Sequence, residues 1–148
     1  MHVLSRVSTV CIAVTAMAFL TGCSKKDDNW LVGEWAFDQA TTRANLPADI
    51  KAQGVPDSLA IEAGKRLTEE LIGQVVGTKM HFSATTVTFT HGNGNRESAA
   101  YKITGRPDAD TLVIKDEDGD ESTFSKSGKY LCIPTTGAVQ LKMYFQPI

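Results

Sequence analysis

Along the chain the spacing of apolar residues changes several times, and each change marks a change of element. Val7 to Leu20 is a short apolar run behind a single basic residue, Arg6. After a polar stretch, Trp30 to Phe37 is aromatic and β-branched and predicts a first strand. From Thr41 to Gly77 the signals are helical. Leu46-Pro47 is expected to open a short helix that stops at Gly54, and Pro56-Asp57-Ser58 to open a longer one. In the longer piece Leu59, Ala63, Leu67, Leu71 and Val75 recur every four residues, joined by Ile72 and Val76. Glu62, Lys65, Arg66, Glu69 and Glu70 hold the other side, so an amphipathic helix is expected to pack that apolar stripe on the domain's own core.

From Lys79 onward the period falls to two. Val87 and Phe89 alternate with Thr86, Thr88 and Thr90; Ala99, Tyr101 and Ile103 alternate with Ala100, Lys102 and Thr104; Leu112 and Ile114 share a face. In the last strand Val139, Leu141, Met143 and Phe145 face one way, and Gln140, Lys142, Tyr144 and Gln146 the other. Turn chemistry separates these runs at His91-Gly92-Asn93-Gly94-Asn95, Gly105-Arg106-Pro107-Asp108, Asp118-Gly119, Ser127-Gly128 and Pro134-Thr135-Thr136-Gly137. Asn-Gly and Asp-Gly supply the positive φ of tight hairpins, so successive strands should be neighbours. Seven or eight short strands in such a meander predict a mainly β protein with a closed or nearly closed antiparallel barrel, carrying an α-helical insertion after the first strand, about residues 45–77.

The first run is too short, and too diluted by Ser8, Thr9 and Thr15, to span a bilayer, and reads as an export signal over residues 1–22. It ends in Leu20-Thr21-Gly22-Cys23, which resembles the lipobox of bacterial lipoproteins. The resemblance implies that the Cys23 thiol receives a diacylglyceryl group, that the peptidase cuts before it and that its amine is acylated. Two or three acyl chains would hold the protein on its membrane. Ser24, where an aspartate would mean inner-membrane retention, points by the same resemblance to the periplasmic face of the outer membrane. Residues 23–29 then form a lipidated tether, and residues 30–148 the folded domain.

Cleavage takes the 148-residue chain to 126 residues and its formal charge from −2 to −3. One domain of ordinary size follows, without the basic footprint of a nucleic-acid binder. Of three cysteines, Cys11 leaves with the signal and Cys23 is acylated, so Cys132 has no partner for an intramolecular disulfide. Within Tyr130-Leu131-Cys132-Ile133 it reads as a buried small hydrophobe.

Gly33-Glu34-Trp35, followed by the meander and its aromatic last strand Lys142-Met143-Tyr144-Phe145, resembles the lipocalin-like lipoproteins of bacteria. The resemblance implies that Trp35 closes one barrel end and packs against a cation, for which Lys142 is the only basic residue of the last strand. The helical insertion departs from that pattern and is expected to cap the barrel mouth or fill it.

No segment carries a specific catalytic motif. Asp116 to Glu121 misses the EF-hand pattern, with glycine fourth instead of sixth and Ser127 in place of the twelfth-position glutamate, and reads as a solvated hairpin. His81 and His91 have no cysteine at ligand spacing, so no metal is expected. Gly64-Lys65 lacks the rest of a phosphate loop, and no serine sits in Gly-x-Ser-x-Gly. The chain is therefore expected to be a binder without cofactor, not an enzyme.

Two function classes compete. In one, the barrel takes a small apolar molecule or lipid, in a cavity drawn from Val87, Phe89, Tyr101, Ile103, Leu112, Ile114, Phe124 and Leu141, with Phe89, Tyr101, Ile103 and Phe124 as its candidate ligand contacts. In the other, those side chains fill the barrel, which then works through its outer surface on an envelope protein, as an inhibitor or assembly factor.

Overall fold

The computed structural model describes residues 29–54, 58–135 and 140–148, without the side chains of Leu59 and Ala60. Eight antiparallel strands run in chain order around a closed barrel. They are β1 (Gly33–Phe37), β2 (Lys79–Phe82), β3 (Thr86–Thr90), β4 (Arg96–Asp108), β5 (Thr111–Asp116), β6 (Glu121–Ser127), β7 (Tyr130–Pro134) and β8 (Lys142–Pro147). Between β1 and β2 lie α1 (Gln39–Ala52) and α2 (Ser58–Val75). The expected mainly β meander with a helical insertion is the observed fold.

Most breaks lie where the turn residues place them. At the β3–β4 turn His91 N–H donates to the Asn95 carbonyl (2.8 Å), with Gly94 at φ +88°. In the β5–β6 turn Gly119 adopts φ +93°, and Asp116 Oδ1 accepts from the backbone N–H groups of Asp118 and Asp120. Gly105-Arg106-Pro107-Asp108 is different: β4 runs through it to Asp108. The chain tolerates glycine and proline there because the β4–β5 register shifts on both sides of Gly105, as bulges do.

Strand alternation sends Trp35, Met80, Phe82, Val87, Tyr101, Leu112, Ile114, Phe124, Leu131 and Phe145 into one buried cluster. Residues 29–32 enter it from the end where β1 begins. Leu31 is wholly buried, and its carbonyl accepts from Trp35 Nε1 (2.8 Å). Trp35 and Leu31 thus close that end, as the Gly-x-Trp resemblance implies for the tryptophan. The cation does not follow. With Met143 and Phe145 turned inward, Lys142 must point outward, and its Nζ lies 3.6 Å from Asp49 on α1.

The insertion neither fills the barrel nor starts at Leu46. Asp38 caps α1 by accepting from the Thr41 N–H (2.9 Å) and hydroxyl (2.9 Å), so the helix begins at Gln39. Those bonds, the backbone one foremost, hold the Asp38 carboxyl below its usual range. Pro47 sits inside α1, where its missing N–H leaves one helical bond unmade. Thr42, Leu46 and Ile50, four residues apart, are buried on one face. The Thr42 hydroxyl donates to the Asp38 carbonyl (2.8 Å) and accepts from Tyr144 N–H (3.1 Å), fastening α1 to the outer side of β8. At its other end Gln53 Oε1 accepts from Gln140 N–H (2.8 Å), while its Nε2 donates back to the Gln140 carbonyl.

Leu141 belongs to this outer layer. It packs with Leu46, Ile50, Ile61 and Leu71, not in the barrel interior expected for it. The contact face of α2 is rotated from the expected stripe. Gly64, Thr68 and Ile72 are buried, whereas Leu67 is 47% exposed. Close approach explains the rotation, since a Cβ at Gly64 would lie 2.4 Å from Ile50 Cδ1. The helices meet where α2 has its smallest side chain.

Two tests follow from this packing. Thr42→Val strands a buried Tyr144 N–H and should lower unfolding free energy by about 1–3 kcal/mol in a denaturant titration. Leu67→Asp should shift the melting temperature little, whereas Ile50→Asp buries an unpaired charge and should abolish cooperative melting.

Candidate functional site

The interior is bridged from wall to wall. In an eight-strand ring β2 and β6 stand on opposite sides, yet the Phe82 and Phe124 rings meet edge-on with centroids 5.6 Å apart. Phe82 meets Tyr101 of β4 in the same way at 5.7 Å, and Phe37 meets Phe145 at 5.5 Å. An eight-strand barrel is wide enough for its side chains to fill or for one small ligand, and at this level the rings occupy it. Tyr101 and Phe124, expected as ligand contacts, are buried in that cluster; Phe89 and Ile103 are half-buried against it, as are Phe37, Ile133 and Met143.

Tyr101 carries the polar part of the interior. Its hydroxyl donates to the Ser83 carbonyl (2.7 Å) and accepts from Asn29 Nδ2 (2.8 Å). Asn29 Oδ1 in turn accepts from Leu31 N–H (3.2 Å), so one phenol ties the N-terminal segment to the β2–β3 turn. Beyond Ala100 the register of β3 ends, and a groove of about 680 Å³ opens beside β4, reaching the inward-facing Tyr101 and Ile103. Asn29, Thr85, Tyr101, Ile103 and Arg106 are among its walls.

Cys132 faces outward under α1 and is 1% exposed. Burial pushes its thiol up to about 11, the opposite of the activation a nucleophile needs. Tyr144, beside it, is also raised, by burial first and then by its hydrogen bond to Asp49 Oδ2 (3.0 Å). Both groups are structural. Cys23 and the export signal expected over residues 1–22 lie outside the described residues.

Among the described residues no helix lies over the outer face of β2 and β3. On β2, Lys79 and His81 are exposed while Met80 and Phe82 are buried, so the two polar side chains point outward. Lys79 pairs with Thr90 and Thr90 with Arg96; His81 pairs with Thr88 and Thr88 with Ser98. A groove of about 520 Å³ runs over this wall, lined by Glu34, Lys79, His81, Thr88, Thr90 and Arg96. His81 Nδ1 lies 3.4 Å from Glu34, and His91 Nε2 lies 3.6 Å from Glu97. Among the described residues no three His, Cys, Asp or Glu side chains converge as metal ligands. No described helix is long and apolar enough to cross a membrane. Sequence reasoning passed over the basic wall because Lys79 and Arg96 are sixteen positions apart and only the register unites them.

No family model, curated protein or solved structure matches this chain.

The packed interior and the buried thiol give two expectations. Phe82→Ala removes the bridge and should cost about 3–5 kcal/mol in unfolding free energy, since opposite walls cannot collapse onto the gap. Cys132 holds its proton more tightly folded than unfolded, as does Tyr144. Their contribution is therefore complete below pH 9 and declines as pH rises toward 11. A melting temperature that falls steadily over that interval, and falls less in Cys132→Ala, checks the sign.

Proposed function

We propose that this is an envelope lipoprotein, anchored through acylated Cys23 on the periplasmic face of the outer membrane, whose barrel works through its outer surface and not by carrying cargo inside. The observation that supports it is the contact between Phe82 and Phe124 across the barrel, which leaves no through-space at that level for a ligand. The rigid fastening of Asn29 to Tyr101 supports it further. It fixes the root of the tether to the barrel, so at most about 20 Å of extended chain separates Cys23 from the domain. A surface held that close to one membrane meets envelope proteins and lipid at high local concentration. The absence of any catalytic motif fits a binding role without cofactor.

A second reading keeps the barrel as a carrier of a small apolar molecule. Its support is that Phe89 and Ile103, with Phe37, Ile133 and Met143, face the core without being fully sealed.

Native mass spectrometry of the acylated chain released from non-ionic detergent separates the two. A protein mass bearing only the Cys23 lipid, unchanged after exposure to fatty acid or phospholipid, is expected; a retained additional apolar molecule would overturn the filled-barrel reading. The anchor has its own check. Cys23→Ala should accumulate as unprocessed precursor and take up no fatty-acid label, and normal maturation with membrane retention would refute lipidation.

A further inference from the structure

We propose that the uncovered wall of β1, β2, β3 and the first part of β4 binds phosphate groups between Lys79 and Arg96. The proposal deepens the surface-acting reading and rests on it. Lys79 and Arg96 are neighbours of the same residue, Thr90, one on each side. Strands lie about 4.8 Å apart, so the two backbones straddle Thr90 across about 10 Å, a span their side chains can close over one tetrahedral anion. Arginine offers a planar fork that matches two phosphate oxygens, and lysine a mobile point charge.

Of the two nearby carboxylates only Glu34 shares this wall; Glu97 pairs with inward-facing Phe89 and points to the other face. Glu34 faces His81 and Glu97 faces His91, while among the described residues neither Lys79 nor Arg96 has an acid within ion-pairing distance. Thr90 lies between the two cations, and Thr88 Oγ1 and Ser98 Oγ hydrogen-bond to each other at 2.8 Å below them; Glu34, His81, Met80 and Ile148 complete the lining. Lys79 and Arg96 against Glu34 leave the lining one charge positive on a chain of net charge −2. The groove of about 520 Å³ admits a headgroup or a small phosphate ester. Phosphate reaches this wall from two sources, a soluble phosphate ester or the headgroups of the membrane that holds the tether.

Amine-reactive footprinting of the whole acylated chain tests this, with Lys79 read against Lys102 and Lys115, both exposed on β4 and β5. In non-ionic detergent, glycerol 3-phosphate at about 10 mM should slow Lys79 modification about threefold and leave the two reference lysines unchanged. In vesicles without soluble phosphate, slowing in phosphatidylglycerol but not in phosphatidylcholine would assign the headgroup as the source. Slowing only with glycerol 3-phosphate would assign a soluble ester. Arg96→Gln should remove the protection in whichever arm shows it.

An unchanged Lys79 rate in both arms would overturn the proposal. So would equal slowing of all three lysines, which is general ionic screening, or full protection in Arg96→Gln. Failure here leaves the surface-acting reading intact if the native mass shows no apolar ligand. Uptake of such a ligand refutes that reading whatever Lys79 does.

Discussion

Everything in this molecule is arranged around the meeting of opposite barrel walls at Phe82. A closed meander leaves no exposed edge, and an empty interior would cost each lining side chain its dispersion contacts. Here three aromatic rings from β2, β4 and β6 occupy the middle, edge to face, the geometry their quadrupoles favour. Trp35 and Leu31 then close the end at which β1 begins. Strand length, inward alternation and the fixed root of the N-terminal segment are all consequences of filling that one space.

The helices answer a different demand. β8 is apolar or aromatic on both faces: Met143 and Phe145 turn inward, while Leu141 and Tyr144 turn outward and would be wetted without cover. The first helix supplies it. Its polar side chains satisfy what it buries, through Thr42 on the Tyr144 amide, Asp49 on the Tyr144 hydroxyl and Gln53 on the Gln140 backbone. The second helix packs on this layer, where Gly64 admits Ile50. A helical insertion after the first strand is thus accommodated outside the barrel, so its presence does not require an enlarged interior.

Legibility in the sequence tracked the range of the interactions involved. Strand alternation and Asn-Gly or Asp-Gly turns are local, and they announced the meander and most of the inward residues, Val87 through Phe124. Trp35 was readable from three residues. Helix facing was not, because the stripe through Leu67 and the one through Gly64 and Ile72 lie about one residue apart in rotation, and only the partner helix chooses between them. Lys142 was misassigned because a cation was sought near a tryptophan before the inward direction of Met143 and Phe145 had been applied to the same strand. Leu141 failed for a related reason: it precedes β8, where alternation no longer governs it. The pairing of Lys79 with Arg96 through Thr90 depends wholly on register and leaves no trace in local pattern.

A filled barrel shifts the question of function from volume to faces, and the faces of this one are unequal. The wall of β8 is buried under α1, and one end is closed by residues 29–32. The β5–β6 turn carries Asp116, Glu117, Asp118 and Asp120. Tyr101 pairs with Asp116 and Ala100 N–H donates to Glu117 Oε1 (2.9 Å), so that turn lies beside the residue that holds Asn29. On the outer wall of β1 to β4 Glu34 lies beside His81, while among the described residues Lys79 and Arg96 have no acid within ion-pairing distance. The outward faces of β5 and β6 are exposed as well, so what distinguishes the β1–β4 wall is the register that sets Lys79 and Arg96 on either side of Thr90.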